Sequence, residues 1–547
     1  MRRLLVLAVA LVAFIGVLAP SAMAQAPAPK VTITGFIDEL GTWTKNMSHY
    51  DLDYNRSGDT QAYGRTRGRF DIIGEVGKAK AVLGLELDMY YGQTGSNDNN
   101  IQGNATSAGF GASGGFDLNT DSRTIFEIKW LYTEFPLPIP LANTVRLGAQ
   151  PFGTLANDKL AVYANGDFPG VALSLDFTPA ARLNLTYVQV EESLTGAKEG
   201  FVRGEDWAII ASFGFSPFKG LDIKPMYSFF QAQGPTSGNA RQGRGGVDTG
   251  TAFTTGFSGG AVGPEESRHT IGIDGRFTAG PFSFQPTVLY QFGHRNATIA
   301  QPAGVPAGFT VAPYGAIGSV HKSDISAWLI DMRAGFNVGP LSLGFLGMYT
   351  SGNKAQDNPF TGTTRYFQPL DTDTSYLADW GTQIFSLGID YFNILQPNVG
   401  GLNPGVAIGY DKYGRMGGGA KVAYAFTPSF TVGFGSTAFW TAEKTDTDTA
   451  LIPSAGLLPS FAGGRPDGDA RFLGWEQNVS MTYRFAPGLA FDVAGGYLIA
   501  RPFGADSALS HAVTVGCCNG AIGQTGRGSA KGVDDVIIGT ARVRYSF

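Results

Sequence analysis

Apolar and polar positions alternate with a period of two along most of this chain. In residues 470–485, Leu473, Trp475, Val479, Met481, Tyr483 and Phe485 share one parity, and Glu476, Asn478, Ser480, Thr482 and Arg484 share the other. A β-strand puts two such sets on opposite faces. Residues 123–134 split the same way, with Phe126, Ile128, Trp130 and Tyr132 against Glu127 and Lys129. In 79–91, Ala81, Leu83, Leu85, Leu87, Met89 and Tyr91 oppose Lys80, Glu86 and Asp88. In 535–547, Ile537, Val543, Tyr545 and Phe547 oppose Thr540, Arg542, Arg544 and Ser546.

The connections between patterned stretches come in two lengths that alternate. Short turns fall near 77–78, 136–142, 178–181, 216–220, 279–281, 338–341, 427–429 and 486–488, and most contain Pro or Gly. Long segments rich in Gly, Asn, Asp, Ser and Thr lie near 45–62, 94–122, 152–168, 193–204, 234–266, 296–321, 352–378, 442–470 and 502–532. Two links fit less well: 393–402 is long for a turn and 412–417 is short for a loop. Long and short never exchange places, so all long loops leave from one side. This predicts an all-β, antiparallel up-and-down meander of about 20 strands, within a range of 16–20. An open sheet of that size exposes edges, and closure into a barrel removes them. Apolar residues outward and polar residues inward define a transmembrane barrel with a wet interior. The spans match the roughly 9–11 residues a membrane strand needs. Soluble sandwiches or a propeller would show a blade repeat, and none is visible.

The beginning of the chain reads as an address. Arg2 and Arg3 precede an apolar run from Leu4 to Leu18, and Ala22 and Ala24 close it. That is a secretory signal peptide over 1–24, too short to span a membrane as a helix. Residues 25–30 form a short leader, and 31–547 a single barrel domain in the outer membrane.

Composition supports this class. Charged residues make up 16% of the 547, below the usual share of about 25%. There are 77 Gly, 39 Phe and 21 Tyr, which disfavours both a soluble enzyme and disorder. The first 24 residues hold two Arg and no acid, leaving 38 bases against 45 acids, a net charge of −7. A nucleic-acid partner would need a basic excess, so none is expected. The only cysteines, Cys517 and Cys518, are adjacent, as a strained ring, two free thiols or a link to another chain.

Several residues resemble a known family. The ending Ala541-Arg-Val-Arg-Tyr-Ser-Phe547 resembles the C-terminal signature of Gram-negative outer-membrane barrels, which the barrel-insertion machinery reads. Residues 31–36 resemble the opening strand of the general diffusion porins. Residues 143–150, followed by a loop ending at 166–170, resemble that family's strand and constriction loop. The resemblance implies a water-filled channel for ions and small hydrophilic solutes, set in outer-membrane lipid, without cofactor or enzymatic activity. It further implies a homotrimer. The family usually has 16 or 18 strands. A structural or adhesive barrel with a closed lumen is the alternative.

The candidate chemistry is electrostatic. Arg65, Arg67 and Arg69 repeat with period two and so point the same way. Arginine at the midplane of a lipid face costs about 2–4 kcal/mol, so an inward basic ladder is expected. Glu86, Asp88, Arg146, Arg542 and Arg544 are inward by the same parity, as are Asp274, Arg276, Asp331 and Arg333. The porin resemblance places opposing acids at Asp158 and Asp167 on the third long loop. Such a wall either holds the barrel by salt bridges or sets a field across the pore. His49, His269, His294, His321 and His511 fall in or at the ends of loops and define no metal site. Asp371-Thr-Asp373 and Asp446-Thr-Asp448 read as solvated loops rather than calcium sites. No serine–histidine–acid set supports a hydrolase. Trp43, Trp130, Trp380, Trp440 and Trp475 suit interfacial aromatic girdles.

Overall fold

The structure is a computed structural model. It describes residues 28–46, 60–91, 115–116, 127–152, 162–191, 206–232, 262–298, 310–311, 315–316, 320–354, 357, 362–372, 377, 380–386, 413–445, 450–454, 457–462, 470–499 and 535–547. The expected signal peptide, residues 25–27 of the expected leader, Asp158, His49, His511, Asp373, Asp446, Asp448, Cys517 and Cys518 lie outside the described residues.

Eighteen long strands form the wall. They are β1 (Lys30–Lys45), β2 (Thr60–Val76), β3 (Ala79–Tyr91), β4 (Glu127–Phe135), β5 (Ala142–Pro151) and β6 (Asp167–Thr178). Then come β7 (Ala181–Glu191), β8 (Asp206–Phe218), β9 (Leu221–Ala232), β10 (Val262–Ala279), β11 (Phe282–Thr298) and β12 (Val320–Val338). The remainder are β13 (Leu341–Thr350), β14 (Arg415–Thr427), β15 (Phe430–Thr445), β16 (Ala470–Ala486), β17 (Leu489–Ile499) and β18 (Val536–Ser546). One 19-stranded sheet contains them all together with Gly115–Phe116, a two-residue strand parallel to β3. Each of the eighteen pairs antiparallel with its sequence neighbours, and β18 pairs with β1, from Phe36↔Ser546 to Lys45↔Ile537. The sheet is therefore a closed barrel with no free edge.

The count sits inside the expected range, and the difference from twenty is local. The sequence placed two further strands around the 393–402 link. Between β13 and β14 the described residues 380–386 are instead non-strand chain packed inside the barrel. The short turns all lie at one end. Gly77, Gly220, Gly280, Gly339 and Gly488 take positive φ there, which tight turns require and glycine adopts without strain.

Parity decides the faces. On β18, Thr540 and Arg542 are buried while Val543 and Tyr545 are exposed. On β12, Ala327, Leu329 and Asp331 are buried while Trp328 and Met332 face out. Large exposed apolar side chains line the outer face all round, including Trp43, Ile209, Tyr349, Phe434 and Tyr497. Two bulges shift the expected pattern. Between Gly84 and Leu85 the β3–β4 register slips, so that Gly84 faces Trp130 and Leu85 faces Ile128. Trp130 and Tyr132, read from the sequence as lipid-facing, therefore point inward. The indole of Trp130 donates to Asp71 Oδ1 at 2.9 Å, and Arg69 lies 5.0 Å above its ring. A second slip between Phe439 and Trp440 turns Leu473 into the interior at 1% exposure, while Trp475 stays outside.

Gly84 makes the first bulge possible, because a Cβ there would sit 2.0 Å from Trp130 Nε1. Gly84→Ala should expel the indole and lower the barrel's unfolding temperature in detergent. The expected cost is about 1–3 kcal/mol, the usual penalty of overpacking. Gly74→Ala, where a Cβ meets nothing within 4 Å, should leave the transition in place. Equal melting of both variants would remove the packing argument.

Candidate functional site

The inner wall of β17, β18 and β1–β6 carries a continuous belt of charge. Register alone sets it up, since Arg67 stands opposite both Asp38 and Asp88, and Arg69 opposite Glu86. Arg65 Nη1 reaches Asp88 at 2.9 Å, Arg67 Nη2 reaches Glu86 at 2.6 Å, and Arg69 Nη2 reaches Glu86 at 2.9 Å. Lys129 bridges Asp167 at 3.0 Å and approaches Glu86 at 4.0 Å. Farther along, Arg146 and Lys80 share Glu134 at 2.9 and 2.7 Å. Across the β18–β1 seam, Arg544 Nε donates to Asp38 at 2.6 Å and Arg542 Nη2 to Asp492 at 2.7 Å.

The expected ladder thus faces inward, and its members are paired with acids. Arg65 is fully buried, whereas the side chains of Arg69 and Arg146 are 31% and 30% exposed. The belt is therefore buried in part, at Arg65, Glu86 and Asp38, and meets solvent at Arg69 and Arg146. Asp167 joins it through Lys129. Asp274, Arg276, Asp331 and Arg333 lie on the other side of the barrel, in local pairs: Arg333 Nε to Asp331 at 3.2 Å and Arg276 Nε to Asp274 at 3.7 Å.

That other side is largely dry. Val188, Ile210, Phe230, Leu289, Leu329, Leu346 and Met348 point inward from β7–β13 and are buried. They pack with Val162 and Tyr163, and with Phe367, Leu370, Leu377, Trp380, Ile384 and Phe385 from the 351–414 connection, in one apolar cluster. Trp380, expected in a girdle, is inside: its Nε1 donates to Thr437 Oγ1 at 3.1 Å, and Lys421 Nζ lies 4.5 Å above its ring. Residues 164–165 and 371–372 pair as short parallel strands. Leu370 N donates to Tyr163 O at 2.7 Å.

Polar clamps hold this inward segment. Gln291 Nε2 donates to the Gln368 carbonyl at 2.6 Å, and its Oε1 accepts from Gln368 N at 2.9 Å. Arg295 donates to Gln368 Oε1 at 2.9 Å and is bridged to Glu266 at 2.8 Å. Glu476, wholly buried, accepts the backbone N–H groups of Gln383 at 2.6 Å, Ile384 at 2.9 Å and Phe385 at 2.7 Å. A carboxylate surrounded by three amides satisfies donors that a non-helical, non-strand segment leaves open.

Sequence reading put Glu476 on the polar face of its strand without a role, and missed Gln291, Arg295, Glu266 and Gln368. One signal was available: β12 and β13 carry apolar residues on both parities, the mark of a strand covered on both faces. His269 was also misplaced. It lies within β10 and faces outward, stacked on Phe292 at 4.9 Å and hydrogen-bonded to the Tyr227 hydroxyl at 2.9 Å. A β-strand longer than the membrane spacing hid it among loop residues.

A closed antiparallel barrel with an apolar outer band and charged inner wall is a transmembrane barrel of the outer-membrane, porin-like kind. No protein-family model matches the chain, and no curated protein is similar to it. Among solved structures it is similar to Pseudomonas aeruginosa OccK8 (OprE), at 10% identity and a TM-score of 0.45, covering 95% of this chain and 98% of that one. It is also similar to Acinetobacter baumannii OccAB1, at 11% and 0.44 over 94% and 96%, and to Pseudomonas aeruginosa OprD, at 9% and 0.43 over 95% of each. These likenesses are distant, and the class stands on strand pairing and the two faces of the wall.

Proposed function

We propose that this barrel is an outer-membrane channel through which ions and small hydrophilic solutes diffuse along the charged wall. One observation carries it: the interior is divided. The inward segments cover the β7–β13 side, while the belt from Asp492 to Arg146 keeps partly exposed charges on the other. A path lined by alternating bases and acids substitutes for hydration along its length. Because the acids nearly match the bases, the wall favours dipolar or zwitterionic solutes over a single sign of charge. Assembly as a homotrimer and delivery by the barrel-insertion machinery through Phe547 belong to the same reading. Phe547 supports it by closing the seam with two backbone bonds to Gly35, each 3.0 Å.

Purified protein added to a planar bilayer should give stepwise conductance increments. The second reading, an adhesive barrel with a closed lumen, is favoured by the depth of the inward segment. A bilayer that stays silent while the protein inserts would select it.

A further inference from the structure

Outward parity puts one carboxylate where lipid should be. On β1, Asp38 and Leu40 are buried and Trp43 is exposed, so Glu39 points out of the barrel. It lies four residues from Gly35, where the seam meets Phe547, and four from Trp43, which gives about 13 Å of strand to either side. That is the middle of an apolar band about 25 Å tall. Among the described strand residues, the other outward Asp, Glu, Lys and Arg side chains lie at the loop ends of strands. An ionisable side chain at this depth calls for a polar partner. Thr66 Oγ1 donates to it at 2.6 Å and the Tyr91 hydroxyl donates as well, yet the group remains exposed. The wall beside it is low, with Gly41 paired to Ala541 across the seam. Small residues allow close approach of two transmembrane surfaces.

A second outward polar patch has the opposite character. Ser436 on β15 lies four residues below Trp440, the same step that separates Glu39 from Trp43. Its hydroxyl accepts from Trp475 Nε1 at 2.8 Å and from Gln477 Nε2 at 3.0 Å. This patch offers amide and hydroxyl donors at the depth where the first offers a carboxylate. Four strand steps separate them. With eighteen strands round the barrel, each step turns the surface by about 20°, so the patches face directions about 80° apart. In a cyclic assembly the two contact faces of one subunit diverge by about 60° for three copies and about 90° for four.

We infer that the partner of the Glu39 patch is a second copy of this chain, docking its Ser436–Gln477 patch there and closing a ring of three or four. This rests on the outer band being membrane-embedded, and it goes beyond the proposed oligomer by assigning the walls that meet. Face-to-face dimers would need one patch to match itself, which two acceptor-rich carboxylates do not. The heterologous contact places an amide against the carboxylate in every interface.

The test is crosslinking of the full chain in outer membranes, in a Cys517→Ser, Cys518→Ser background. Glu39→Cys with Gln477→Cys, treated with a short bis-maleimide, should convert the monomer band into species ending at three or four times its mass. Thr66→Cys with Ser436→Cys should do the same and leaves the carboxylate intact. Glu39→Cys with Ile209→Cys, on the far wall, should stay monomeric. Each variant is checked first for heat-modifiable mobility, so that misfolding is not read as lost contact. Folded protein with no 39–477 and no 66–436 product overturns the inference. So does equal linkage through residue 209. Monomeric barrels that still conduct would overturn the interface alone and leave the channel in place.

Discussion

Glu476→Ala should widen the pore. The carboxylate accepts three backbone N–H groups of the 383–385 stretch, and nothing else described there replaces it except Asn478 Oδ1, 3.2 Å from Gln383 N. Leaving buried donors unpaired costs about 1–3 kcal/mol each. Two or three together exceed what the Phe385–Phe439 contact, with ring centroids 5.1 Å apart, returns. The segment should therefore leave the wall. Unitary conductance is expected to rise at least about twofold, with added open-channel noise and faster proteolysis near 383. Glu476→Gln retains one acceptor oxygen and should fall between. Unaltered conductance, noise and proteolysis in the alanine variant would show that apolar packing alone holds the segment.

The second large effect concerns the arginine ladder. Replacing Arg65, Arg67 and Arg69 together by Gln leaves Asp88 without the two cations that bridge it, and Glu86 with only Lys129 at 4.0 Å. Breaking a buried pair by removing one partner costs about 3–5 kcal/mol, and the partial exposure of Arg69 lowers that figure here. Thermal stability should drop, and the reversal potential should move toward cation preference. The shift should be larger at 0.1 M salt than at 1 M, since the Debye length falls from about 10 Å to about 3 Å. Adding Glu86→Gln and Asp88→Asn should restore much of both, because it removes the two acids left without their cations and two of the three units of negative charge that the triple variant adds. If the triple variant keeps its reversal potential, the ladder's charge never reaches the solute path.

The barrel was legible in the sequence because lipid and lumen impose opposite demands on alternate residues. Strand β18 shows why: nothing but parity is needed to put Tyr545 out and Arg542 in. Parity also placed Arg65, Arg67, Arg69, Glu86 and Asp88 on one face, and register then paired them. Reading failed where the chain slips by one residue. Glycine at position 84 carries no mark that an indole will fill its place, and the bulge before Trp130 depends on that three-dimensional fit. It failed again for 362–386, which has no period to read. In its described residues, backbone groups at 368 and 383–385 are held by Gln291 and Glu476, far away in sequence. Trp380 looked like a girdle residue because an aromatic ring suits both a headgroup layer and an apolar core.

The seam between β1 and β18 sets the order in which the barrel can mature. Thr42 and Thr540 share a hydrogen bond, 3.1 Å long, across 498 residues of sequence. The hairpins at the short turns close over a handful of residues, so they carry little loop-closure entropy and can zip early. The seam is the most expensive contact to find. Until it forms, β1 and β18 both present open edges to neighbouring chains. Asp38 and Arg544 lie on those two edges, with Leu40 and Arg542 facing one another two pairs further along. Attraction between opposite charges favours the register in which they meet, so the same groups that line the finished wall also bias which residues join first. An opened seam exposes two edges at once, so each pair formed along its ten-pair register covers backbone groups on both strands.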